Sequence, residues 1–155
     1  MEFVQKTIDL AYNNVLNGGR PFATIIVKDN EIISESPNLV AQTNDPTAHA
    51  EIVAIREACK KLNTEHLTDC DIYIMASPCP MCLGALYYAS PKNVYYVTTR
   101  EEYAPFYSDD RKYFELNTFY DEFSKPIQER RLPMKQSYHS DALTPYQKWK
   151  DLNNV

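Results

Sequence analysis

The stretch DIYIMA at residues 71–76, followed by SPCPMCLGALYYA at 77–89 and SPKNVYYVT at 90–98, decides the fold. Asp71 to Ala76 reads as a buried strand, Pro78 to Ala89 as a helix with proline in its first turn, and Val94 to Thr98 as a second strand. A strand, a helix and a further strand in that order imply an α/β sheet with parallel members, the helix serving as crossover.

Upstream, Val4, Ile8, Ala11 and Val15 recur at helical spacing and Gly18-Gly19 supplies the stop. Phe22 to Lys28 and Ile32-Ile33, separated by Asp29-Asn30, read as a hairpin. Asn44-Asp45-Pro46-Thr47 offers capping side chains for a helix that starts just before His49 and continues through Ile52, Ala54, Ile55, Ala58 and Leu62. Downstream, from Arg100 to Lys135, the periodicity fades. Tyr103, Tyr107, Tyr113 and Tyr120 stand there among acidic residues, as in an insertion or a covering segment. Thr144 to Trp149 is expected to form a short helix that docks by its aromatics.

A chain of 155 residues with 44% hydrophobic content suits a single domain, 1–155, that folds without disulfide staples. The formal charge of -5 offers no broad basic surface for phosphates, which weighs against a nucleic-acid partner. No apolar run approaches the roughly 20 residues that span a bilayer, and Met1 to Lys6 lacks the pattern of a signal peptide. The expectation is a soluble, cytoplasmic protein without a membrane partner.

Four cysteines, Cys59, Cys70, Cys79 and Cys82, point in such a chain to metal more readily than to disulfides. Only Cys79 and Cys82 have ligand spacing. His49-Ala50-Glu51 opens one expected helix and Pro78-Cys79-Pro80-Met81-Cys82 another, so an imidazole and two thiolates can converge. Zn²⁺ held by three such ligands keeps a fourth position for water, as catalytic zinc does. Glu51, two positions after His49, is then placed to move protons. The other readings are a helix start for His49 to Glu51 and a redox pair or half of a structural zinc knot for Cys79 and Cys82. Cys59 and Cys70 would have to complete that knot, but they fall where free cysteine behaves as a small hydrophobe.

These motifs resemble the cytidine deaminase-like superfamily. Asn44 to Glu51, Pro78 to Ala85 and the ending Pro145-Tyr146-Gln147-Lys148-Trp149 are similar to bacterial guanine deaminases. The resemblance implies a three-layer α/β/α fold with a central five-stranded mixed sheet. It implies Zn²⁺ on His49, Cys79 and Cys82, with Glu51 as catalytic proton shuttle, and hydrolysis of guanine to xanthine and ammonia. For substrate binding it implies Asn38 on the base, Phe22 against the ring and Asp110 on the purine edge. Asn38 also reads as a turn residue after Pro37, and Phe22 as a core strand residue.

Tyr88, where the guanine enzymes often have Trp, and Asp141, where Glu is usual, complete the substrate-binding set. Ser77 stands where relatives carry Glu. Asp109, Asp121 and Glu122 are alternates for the edge-reading acid. A homodimer is implied, with residues 136–155 covering the site or exchanged between subunits. The competing activities are deamination of tRNA adenosine, guanosine or cytosine. A zinc-stabilised interaction module without catalysis is a different class of answer, and it has no use for Glu51.

Overall fold

The apolar, β-branched run ATIIVK forms the best-buried strand of the protein, and the rest of the sheet is built around it. The computed structural model describes residues 2–154. In chain order the elements of the first part are α1 (Glu2–Leu16), β1 (Ala23–Lys28), β2 (Glu31–Pro37), α2 (Val40–Thr43), α3 (Ala50–Leu62), β3 (Cys70–Ala76), α4 (Pro80–Ala89), β4 (Asn93–Thr98) and α5 (Arg100–Tyr103). The second part holds α6 (Phe119–Ser124), a 3₁₀ turn at Ile127–Glu129 and α7 (Thr144–Asn153). The chain divides into two compact units, Met1–Asp109 and Asp110–Val155.

In the first unit the strands lie in the order β2-β1-β3-β4. Strand β1 pairs antiparallel with β2 and with β3, and β3 pairs parallel with β4. The sheet is therefore mixed, and the parallel pair is the one the strand-helix-strand stretch predicts. Ile26, Ile72 and Ile74 pack with Ala54 and Ala58 of α3 and with Leu86 and Ala89 of α4 on one face. On the other face Phe3 of α1 meets Tyr73 at 5.5 Å between ring centroids, and Tyr73 stacks on Tyr95. Helices thus cover both faces.

The sheet has four strands among the described residues, where five were expected. After β4, Thr99 and Glu102 form a reciprocal capping box that turns the chain directly into α5. Beyond it no alternating or β-branched apolar run of strand length remains to pair with β4.

Other expectations shift locally. Helix α1 buries Thr7, Ala11 and Asn14, and Val15 is 48% exposed, so its inward face is rotated from the purely apolar one. Asp45 spends its carboxylate on the amide and hydroxyl of Thr47, at 2.8 and 2.7 Å, and His49 itself is the N-cap of α3. Helix α4 starts at Pro80 rather than Pro78, because the residue before a proline, Cys79, is held extended.

In the second unit none of the described residues is buried. Helix α7 forms as expected, with Tyr146 and Trp149 exposed. Phe114, Phe119 and Phe123 form a local ring cluster there, and Arg131 pairs with Glu115 at 3.1 Å.

Candidate active site

Helices α3 and α4 each begin on a metal-binding residue type. His49 caps α3 with extended backbone, and its carbonyl accepts the first helical bond, from Val53, at 3.1 Å. Cys79 caps α4, its sulfur accepting the Cys82 amide at 3.5 Å, with Cys82 one turn into the helix. The Cys79 loop leaves the C-terminal end of β3, the side of a parallel pair where ligand crevices form.

His49 Nδ1 lies 3.6 Å from Cys79 Sγ and 3.5 Å from Cys82 Sγ. Tetrahedral zinc with ordinary Zn–N and Zn–S lengths separates such atoms by about 3.6 Å. Among the described residues, these three are the His, Cys and acidic side chains that converge for a metal, with all donor atoms within 4.8 Å of one another. Cys59 and Cys70 are free thiols and stand outside the group; Cys70 is part of the core cluster and Cys59 packs against it. The all-cysteine alternative therefore has no geometric support.

The electrostatics favour a cation. The Cys82 thiol donates to Cys79 and, with His49, holds the Cys79 thiol down to about 4, so it is a thiolate at neutral pH. The same Cys79 thiolate, with burial, pushes Cys82 up, so the bare cradle resists a second negative charge. A divalent cation removes that penalty, and the His, Cys, Cys donor set fits Zn²⁺. Burial would lower the His49 pKa, but Cys79, Glu51 and Asp109 together outweigh it and the ring is shifted upward.

Glu51 is 8% exposed at the start of α3, and burial raises its pKa. Thr24, fully buried in β1, donates its hydroxyl to Glu51 Oε1 at 3.5 Å. Asn38 is 3% exposed between β2 and α2, and its Oδ1 accepts the Val40 amide at 3.0 Å, which leaves its NH₂ group as the donor it presents. Phe22, just before β1, meets Tyr103 and Tyr107 edge-on at 5.6 and 5.0 Å. The backbones of Phe22 and Asn38 are joined by an N–H to carbonyl bond of 2.9 Å.

Tyr88 lies on the outer side of α4, 89% exposed. Asp110 and Asp141 belong to the second unit, where Asp110 accepts the Leu116 amide at 3.3 Å and Asp141 lies 3.9 Å from His139 Nδ1. Asp109 ends the first unit, where it faces Arg20 at 3.8 Å and its charge helps raise the His49 pKa.

Sequence reasoning missed Thr24, although a hydroxyl inside an apolar strand run signals a buried hydrogen bond. It also missed Asn14, whose i, i+4, i+7 spacing with Thr7 and Ala11 was the available sign.

A family model described as "Cytidine and deoxycytidylate deaminase zinc-binding region" matches residues 1–98. Guanine deaminase of Bacillus subtilis (strain 168) is 43% identical over 153 residues, 98% of this chain and 94% of that protein. The X-ray structure of the Bacillus subtilis guanine deaminase superposes with a TM-score of 0.86 at 42% identity, covering 97% of this chain and 92% of that one. The tRNA-specific adenosine deaminase of Aquifex aeolicus is 52% identical over 69 residues, 44% of this chain and 46% of that protein.

Proposed function

This chain belongs to the cytidine and deoxycytidylate deaminase zinc-binding family, and from that premise we propose that it hydrolyses guanine to xanthine and ammonia. The observation that carries this reading is the reach of the similarity. Likeness to the guanine enzyme runs through 98% of the chain, whereas likeness to the Aquifex tRNA enzyme stops at 44%. The charge of -5 adds to the case against a polyanionic substrate.

His49, Cys79 and Cys82 would hold the metal. The chemistry zinc supplies in such a set is Lewis acidity, which lowers the pKa of water from about 15.7 toward 7. Glu51 accepts a proton from the attacking water and passes it to the ring nitrogen beside C2, then takes the proton of the new C2 hydroxyl and delivers it to the departing amine. Water thus adds at C2 and the C2–N bond breaks with loss of ammonia. A carboxyl whose pKa burial has raised suits a group that must both take and give protons. Asn38 offers its amide N–H to an acceptor on the base, and Phe22 packs against the ring. The purine edge is assigned to Asp110 from its place in the sequence, with Tyr88 and Asp141 as further contacts and Asp109 as the alternate acid.

We infer further that the protein works in the cytoplasm as a homodimer. All four cysteines are free thiols, as a reducing compartment keeps them. No helix among the described residues is long and apolar enough to cross a membrane. Exposed Tyr146, Trp149 and Leu152 on α7 favour a second chain as their cover, with residues 136–155 as the segment that covers the partner's site or is exchanged.

Ammonia release from guanine, guanosine, adenine, cytosine and a tRNA anticodon stem-loop, with Glu51→Ala as control, tests the substrate. Turnover of adenine, cytosine or tRNA with guanine inert would overturn it. The deaminase assignment would survive that result.

A further inference from the structure

We propose that Asn14, on α1, is a positioning residue that fixes Phe22 and Asn38 relative to each other, and through them orients the bound base. The inference rests on the reading of these two side chains as the base contacts.

A single amide makes the connection. Asn14 Nδ2 donates to the Arg20 carbonyl at 2.7 Å and to the Asn38 carbonyl at 2.8 Å. The Phe22 amide donates to the same Arg20 carbonyl at 2.9 Å, and the Asn38 amide donates to the Phe22 carbonyl at 2.9 Å. These four bonds close a ring through Asn14, Arg20, Phe22 and Asn38. It joins the loop that enters β1 to the loop that leaves β2. Gln42 Nε2 donates to Asn14 Oδ1 at 2.8 Å, so both amide protons and the oxygen of Asn14 are engaged.

Two further observations indicate that the ring is built for closeness. Asn14 is only 5% exposed, on a helix face otherwise formed by Thr7 and Ala11, where an apolar residue would pack without needing partners. A Cβ at Gly19 would overlap the Asn14 side chain and Gln42 Nε2, so the turn after α1 admits only glycine without a shift. Asn14 is not placed to touch the base; it acts on the backbone of residues that do. Misplacing such groups by about 1 Å can cost on the order of 100-fold in rate.

The test is a double-mutant cycle on the zinc-loaded protein. Asn14→Leu keeps the branched shape and removes every side-chain bond, and is expected to lower kcat/KM on guanine by about 10–100-fold with zinc content unchanged. In the Asn38→Ala background the same change should cost clearly less than in the wild type, because part of the Asn14 effect passes through Asn38. Amide exchange of Asn38 should quicken in Asn14→Leu. If Asn14→Leu fails to fold, Gln42→Ala, which removes only the brace at an exposed residue, is read by the same cycle and should show a smaller loss with the same non-additivity.

Fully additive losses, or wild-type kinetics in a folded variant, would overturn the proposal. Should guanine prove inert, the substrate reading fails separately. The cycle is then run on whichever base is turned over, and additivity there still decides against Asn14.

Discussion

Thr24 and Glu51 meet in the interior, the hydroxyl of the β1 residue donating to the carboxylate Oε1 at the start of α3 over 3.5 Å. The bond spans two elements that sequence places 27 residues apart, and it gives the carboxylate proposed as the proton shuttle a partner in β1. Glu51→Gln should bind zinc and substrate and lose about 10²–10⁴-fold in kcat, the usual worth of a general acid–base group. Thr24→Val, similar in shape but without the donor, should lower kcat less, leaving zinc content at wild type. Steady-state kinetics with parallel metal analysis decide both, and a Glu51→Gln enzyme with more than a tenth of wild-type kcat would move the shuttle elsewhere.

In the metal-free protein, ultraviolet thiolate absorbance at neutral pH should report Cys79 alone. The hydrogen bond from Cys82 holds its pKa at about 4, below the ordinary thiol range, so the thiolate persists as pH falls and disappears only near that value. Because the shift is downward, its contribution to stability is complete above the ordinary thiol pKa and is lost as pH falls toward about 4. Cys79→Ser should abolish the signal. Persistence of the same absorbance in that variant would contradict the assignment.

Removing zinc with a chelator should lower the thermal midpoint. A ligand present at 1,000 times its Kd stabilises the folded state by about 4 kcal/mol, and metal analysis should find about one zinc per chain. Cys82→Ser should show the lower midpoint whether or not zinc is added. Equal midpoints with and without metal would mean the donors are not ligands.

Asp110→Asn should depress guanine turnover sharply with zinc retained, because a carboxylate accepts the N1 and 2-amino protons of guanine and an amide does so poorly. Sites matched in this way discriminate by about 10⁴-fold or more. Asp109→Asn is the companion variant. A loss confined to Asp109→Asn would transfer the edge-reading role to the acid that faces Arg20.

The His49, Cys79 and Cys82 motifs that converge and the parallel pair were legible in the sequence because their signals are local. Cys79-Pro80-Met81-Cys82 sits on one turn, and the strand-helix-strand order is read along the chain. The number of strands was not legible. It depended on whether residues after Thr98 pair with β4, and the Thr99–Glu102 capping box settles that locally in favour of a helix. Asn14 and Thr24 were hidden for the opposite reason. Their partners lie 24 and 27 residues away, and each looks like a weak spot in an apolar pattern until the fold brings the partner in.

The position of β3 has a kinetic consequence. His49 precedes β3 and both cysteines follow it, so the three donors cannot converge until β3 has added to β1 across the intervening chain. Long-range pairing carries a loop-closure cost that local contacts do not, so the expectation is that zinc meets a complete site only after the rate-limiting step. Interactions absent from the transition state slow unfolding and leave the folding rate unchanged. Saturating zinc should accordingly shift only the unfolding arm of the chevron, making the metal a latch on the lifetime of the native state.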